Sequence, residues 1–178
     1  MKTTVFLFHP NLNNSIVNKA LVQSLDNDIE VRDMYSLYPD FKIDVSKEQE
    51  VLEATDRVVL QFPMYWYSSP ALLKQWEDDV LTYGWAYGSS GDALHGKELV
   101  IAVSPGADNY GREDFAKYTV HELLRPFQAM NRLVGMTFVE PFVTKGASTI
   151  DRETLTKQAQ AYNKYLHQEN LRVLGDFE

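Results

Sequence analysis

The sequence predicts an α/β chain built on a five-stranded parallel sheet in the order 2-1-3-4-5, with helices on both faces. Three observations predict it. Short β-rich runs alternate with helical patterns about five times, and such alternation implies right-handed crossovers and a parallel sheet. Three of the runs, residues 5–8, 58–62 and 99–103, are nearly continuous apolar stretches, as strands buried on both faces are. The length, 178 residues, suits one domain of this kind.

The remaining elements follow the same logic. The second run, 29–33, alternates Ile29 and Val31 with polar residues, and the fifth, 136–139, is the weakest. Helical stripes fill the gaps: Val17, Leu21 and Leu25 after Ser15; Leu72, Leu73, Trp76 and Val80 after Pro70; Leu155, Ala159, Tyr162 and Leu166 after Asp151. Ser15, Ser69 and Asp151 are the expected N-caps, with Pro70 as a first helical residue. Residues 46–56 and 112–125 read as two less regular helices, and Pro126 is expected to kink or end the second.

Composition excludes several functions. Hydrophobic residues make up 44% and charged residues 24%, the balance of a chain that folds rather than stays disordered. There is no cysteine, so disulfides, thiolate metal sites and a cysteine nucleophile are ruled out, and a reducing compartment fits. A net charge of −8 without any Lys/Arg run argues against a nucleic-acid partner. The first apolar run ends at Phe8, too short for a signal-peptide core. No stretch approaches the roughly 20 apolar residues of a membrane helix, so a cytoplasmic protein is expected. Neither G-x-G-x-x-G, a P-loop nor H-E-x-x-H occurs, and no metal site is expected. No G-x-S-x-G elbow occurs either.

In doubly wound sheets ligands bind beyond the carboxyl ends of the strands, near the reversal of strand order. That selects the loops after strands one, three and four. The first, His9-Pro10-Asn11-Leu12-Asn13-Asn14-Ser15 leading into Ile16-Val17-Asn18, reads as a phosphate site at a helix start or as a polar loop with a cap. His9 stands where a phosphate would lie, whereas His95, His121 and His167 read as surface residues. The second, Pro63-Met64-Tyr65-Trp66-Tyr67-Ser68-Ser69-Pro70, places three aromatics in a row at a strand end. They cover a flat ring such as an isoalloxazine, or they serve local packing or a dimer contact. The third, Ser104-Pro105-Gly106-Ala107-Asp108-Asn109-Tyr110-Gly111, is small enough for close approach of backbone to a ligand, or is an ordinary β–α turn.

The segment Phe62-Pro63-Met64-Tyr65-Trp66-Tyr67-Ser68-Ser69-Pro70-Ala71-Leu72-Leu73-Lys74-Gln75-Trp76 resembles the motif of the NAD(P)H:quinone oxidoreductase family. Its nearest likeness is to the short bacterial members, which include ancillary flavoproteins of glutathione-gated potassium efflux systems and general stress proteins. The resemblance continues in His9-Pro10, in Ser15-x-x-Asn18 and in Leu123-Leu124-Arg125-Pro126-Phe127-Gln128 before Gly135-Met136. It implies a flavodoxin-like homodimer carrying one flavin per subunit, FMN rather than FAD, with NAD(P)H as hydride donor. It further implies that His9 and Ser15, Ile16, Val17 and Asn18 hold the phosphate and ribityl end. Met64, Tyr65, Trp66 and Tyr67 would line the ring, and Ser104, Pro105, Gly106 and Ala107 its pyrimidine edge. Two departures stand out. The family usually has Thr-Thr-Gly-Gly where this chain has Ser104-Pro105-Gly106-Ala107, so Pro105 removes one backbone donor and Ala107 narrows the geometry. A Tyr–His proton relay is also usual; Tyr110 fits the Tyr, but only Lys117 or Tyr118 lies near the His position.

The chemistry implied is two half-reactions in one site, NAD(P)H first and a quinone second, with ping-pong kinetics. The same resemblance allows a flavin-containing regulator bound to a potassium antiporter at the inner face of the membrane. Azo- or nitro-reduction is the same chemistry with another acceptor, and a one-electron flavodoxin is a further reading.

Overall fold

The computed structural model describes residues 1–176. Five parallel strands, β1 (Thr3–Leu7), β2 (Glu30–Asp33), β3 (Arg57–Pro63), β4 (Glu98–Ser104) and β5 (Thr137–Phe138), run in the order β2-β1-β3-β4-β5. A sixth, β6 (Phe142–Val143), was not expected. It pairs with β4 at Ala102 and Val103, while β5 pairs with β4 at Glu98 and Leu99. The expected fifth strand is thus one edge broken in two. Pro141 has no N–H to give to the ladder. The Glu140 N–H instead donates to the Arg172 carbonyl at 2.8 Å, and Val139 forms an antiparallel bridge with Val173.

Register sorts the strand residues into two cores. The row Phe6–Leu60–Ile101 faces one layer and the adjacent row Val5–Val59–Val100 faces the other. The first core is closed by α2 (Met34–Leu37), α3 (Val45–Glu53), α4 (Ala71–Val80), α5 (Val120–Leu123) and α6 (Arg125–Leu133). The second is closed by α1 (Val17–Gln23) and α7 (Arg152–Leu166). Every residue of β1 and β3 is buried, which is why those runs are largely apolar, and the polar side chains Thr4, Arg57 and Gln61 buried among them have hydrogen-bond partners.

Helix ends follow local chemistry. The N-cap of α1 is Ile16 rather than the expected Ser15, whose hydroxyl oxygen nonetheless accepts the Asn18 N–H at 3.1 Å from one residue earlier, whereas Asp151 accepts the Thr154 N–H at 2.9 Å and caps α7 as expected. Ser69 does not. Pro70, in extended conformation, precedes the first helical residue Ala71, and no side chain caps α4. The expected helix over 112–125 is also corrected. Residues 112–119 form no helix, and Thr119 opens α5 through a reciprocal cap with Glu122. Pro126 ends nothing: it lies in the first turn of α6, where its missing N–H would have had no partner. Gly135, at φ 72°, closes α6 in the left-handed region.

Two buried charges brace the layers. Glu48 is fully buried and accepts from the Tyr38 hydroxyl at 2.6 Å, from Trp76 Nε1 at 3.2 Å and from Arg32. Arg57 donates to Glu98 Oε2 at 2.6 Å and to the carbonyls of Leu166 and Gln168 at 2.7 and 2.9 Å, closing the end of α7. No described helix is long and apolar enough to cross a membrane.

Candidate active site

The ends of β1, β3 and β4 open on one cleft of about 290 Å³. His9, Ser15, Ile16, Val17 and Asn18 line it from the first loop, Met64 and Tyr65 from the second, and Ser104 and Gly106 from the third. Its floor is tied across the sheet: Asn18 Nδ2 donates to Ser104 Oγ at 2.8 Å. A larger hollow of about 440 Å³ lies between α4 and α6, lined by Phe127, Met130 and Leu133. Burial raises Glu77 there to about 7. It lies between two helices rather than at the strand ends, and it does not include the convergent donors of the smaller cleft.

The cleft is rich in donors. The Ile16 and Val17 N–H groups precede the first intrahelical bonds of α1. The Asn11 N–H donates to His9 Nδ1 at 3.1 Å, so the neutral ring carries its proton on Nε2. Burial lowers the His9 pKa, against a weaker raising effect of Asp33. His9 is therefore a neutral donor near neutral pH.

The third loop is held at the cleft by a segment the sequence reading missed. Pro105, Gly106 and Ala107 all give their carbonyls to N–H groups of the 146–148 stretch: Ala147 to Pro105 at 3.0 Å, Ser148 to Gly106 at 3.0 Å and Gly146 to Ala107 at 2.9 Å. Within the described residues, the Gly106 and Ala107 N–H groups take no acceptor. A Cβ on Gly106 would meet Ser148 Oγ at 3.0 Å, so glycine keeps this approach open. Ala147 and Ser148 line the cleft with Asn14 and Pro63. The signal for them was the small-residue stretch after β6, legible only once that strand is known.

Four expected contacts do not line this cleft. Trp66 and Tyr67 stand at the tip of a tight turn with positive φ, 49° and 63°, which carries their side chains outward. Trp66 is 93% exposed, and Tyr67 meets Tyr110 edge-on at 6.4 Å. Pro105 is buried and Ala107 exposed, both outside the lining. Tyr110 is also outside it. Its phenol is held above its ordinary range, chiefly by burial and then by Tyr67, and its carbonyl accepts from Lys145 Nζ at 2.9 Å. His95 and His167 are exposed, whereas His121 is half-buried and its Nε2 has no partner among the described residues.

A doubly wound parallel sheet with a donor-lined cleft at its switch point defines a nucleotide-binding α/β protein. The donors suit a phosphate and polyol, and the Gly106 loop suits a close, flat edge, so the residues present fit FMN. The chain belongs to the family described as having a flavodoxin-like fold, whose model matches residues 1–166. It is 49% identical to the NAD(P)H oxidoreductase YrkL of Bacillus subtilis (strain 168), over 96% of this chain and 100% of that protein. It is 43% identical to KefF of Salmonella typhimurium (strain LT2), the ancillary protein of a glutathione-regulated potassium-efflux system, over 89% and 91%. Among solved structures it superposes with general stress protein 14 of Treponema denticola in complex with FMN. The TM-score is 0.89 and the identity 38%, covering 93% and 98% of the two chains. A second superposition is with an NADPH-quinone reductase from P. pentosaceus, at TM-score 0.82 and 32% identity over 93% and 97%.

Proposed function

We propose that this chain is an FMN-dependent oxidoreductase that takes electrons from NAD(P)H and delivers them in pairs to a quinone-like acceptor. One observation carries the reading: three loops, distant in sequence, converge on a single donor-lined cleft at the strand ends. The FMN complex of the Treponema denticola relative and the quinone-reductase name of the P. pentosaceus neighbour support it. Bound FMN supplies two-electron hydride chemistry.

The chain's own residues bind and orient. His9 Nε2–H and the Ser15-to-Asn18 segment hold the phosphate and ribityl end. The Gly106 N–H meets the pyrimidine edge, where it favours negative charge. Met64 and Tyr65 bound the ring, and Trp66 and Tyr67 complete its cover when a second copy closes over them. Phe115, 84% exposed, and Tyr118 add apolar surface outside the sheet, which supports a homodimer.

Purified protein is expected to be yellow, or to turn yellow with FMN, and to bleach on adding NADH or NADPH. Steady-state kinetics with a quinone should give parallel double-reciprocal lines. Protein that takes up no FMN overturns the reading.

The likeness to KefF supports a second role for the same flavoprotein, as a cytoplasmic partner of a potassium antiporter. Co-purification with an antiporter from the native membrane tests it; a reductase that never associates with one leaves only the enzymatic role.

A further inference from the structure

We propose that Gln61, held by Tyr162, is a positioning residue for the cleft: it orients the Asn18 amide so that Ser104 is left as a hydrogen-bond donor to the ligand. The inference rests on the flavin reading of the site. It concerns a chain of four side chains from α7, β3, α1 and β4.

The links run in one direction. The Tyr162 hydroxyl donates to Gln61 Oε1 at 3.0 Å. Complete burial pushes the phenol far above its ordinary range, so its proton stays. With Oε1 engaged there, Gln61 Nε2 faces Asn18 and donates to its carbonyl oxygen and to Oδ1, both at 3.2 Å. Asn18 Oδ1 is thereby turned toward Gln61 and Nδ2 toward Ser104 Oγ, 2.8 Å away. An amide has its acceptor and its donors on opposite corners, so fixing one corner fixes the other. Ser104 accepts from Asn18, and its own proton is left for a third atom. Ser104 and Asn18 both line the cleft, which makes a ligand oxygen that third atom.

Burial gives the arrangement its force. Tyr162 and Gln61 are 0% exposed, Asn18 2% and Ser104 4%. Reversing the Gln61 amide would set its oxygen against the Asn18 main-chain carbonyl oxygen, which can only accept, with no water to relieve the clash. Without the Gln61 donor, the Asn18 amide is free to reverse. Its oxygen would then take the Ser104 proton, and the hydroxyl would offer only lone pairs to the ligand. Neither Gln61 nor Tyr162 lines the cleft, so both act through Asn18 and Ser104.

The test is a double-mutant cycle on apoprotein, read as FMN affinity from quenching of flavin fluorescence. Gln61→Met keeps the volume and removes the donor. It is expected to weaken FMN binding about tenfold when Ser104 is present, and less than twofold in a Ser104→Ala background. Tyr162→Phe, which removes one oxygen and is the variant that decides if Gln61→Met fails to fold, should show the same pattern at smaller size. Equal losses in both backgrounds would show general loosening and overturn the proposal, as would no loss in either. Unaltered chain that binds FMN while the variants behave so refutes this inference alone; unaltered chain that binds none refutes the flavin reading and this with it.

Discussion

Tyr65 and Ser68 exchange both backbone hydrogen bonds, N–H to carbonyl at 3.1 and 3.0 Å, and so close a two-residue turn on Trp66 and Tyr67. Both tip residues have positive φ. Such turns favour Asn-Gly, and an L-residue held there costs about 1–2 kcal/mol. Replacing Trp66-Tyr67 by Asn-Gly is therefore expected to raise the unfolding free energy by about 1–3 kcal/mol in urea, while FMN affinity and quinone reduction fall. A less stable variant would show that the turn carries no strain.

Gly106 makes the second case. A methyl there meets Ser148 Oγ at 3.0 Å, and that hydroxyl must give way within the cleft lining. Gly106→Ala should leave thermal stability nearly unchanged, a shift of about 1 kcal/mol or less, yet weaken FMN binding severalfold. Gly106→Val should abolish it. Titration of flavin fluorescence on the two apoproteins would find equal affinities if the loop does not touch the cofactor.

Two histidines act on stability in opposite senses. The His167 Nδ1–H donates to the Asn163 carbonyl at 2.8 Å, and its Nε2 lies 3.3 Å from both Asp28 carboxylate oxygens. The Asn163 bond first and Asp28 next raise its pKa above 6.5. Its contribution is full below pH 6.5 and is lost as pH rises through the raised value. Burial lowers His9 below 6.5. The unfolded chain then binds the extra proton, and stability falls as pH drops from 6.5 toward the folded value. In urea midpoints taken from about pH 5 to 8, His167→Asn should flatten the alkaline decline and His9→Asn the acid one. Unchanged slopes would remove these residues from the pH response.

Glu48 is the buried anion on which Arg32, Tyr38 and Trp76 converge. Glu48→Ala takes the close partner from the mostly buried Arg32 guanidinium, leaving it the longer pair with Glu30 at 3.9 Å, and leaves two donors without an acceptor. The loss expected in denaturant unfolding is about 3–5 kcal/mol. A loss below about 1 kcal/mol would mean that water reaches the gap.

How far the sequence revealed this molecule depends on where the information lay. The rows through Val5, Val59 and Val100 were legible because a strand covered on both faces is apolar at most of its positions. The split edge was not, since β5 and β6 are two residues each, too short to show any period. That loss carried a second with it: Ala147 and Ser148 enter the cleft only because β6 aims the following loop there. Three of the cleft's loops were legible by composition alone. The outward course of Trp66 was not, because no glycine or asparagine marks that turn. The start of α5 had a readable sign in Thr119-x-x-Glu122, a reciprocal cap, which the pattern of apolar residues around it obscured.

The bridge between Val139 and Val173 has a bearing on solubility. Residues 172–174 lie along the outer margin of the sheet, with the Leu174 N–H donating to the Phe138 carbonyl at 3.0 Å, and they occupy main-chain groups that would otherwise recruit a strand from another molecule. The opposite margin, β2, is only four residues long and carries the acidic Glu30 and Asp33. Removing residues 171–174 would therefore bare a sticky border and invite fibrous self-association.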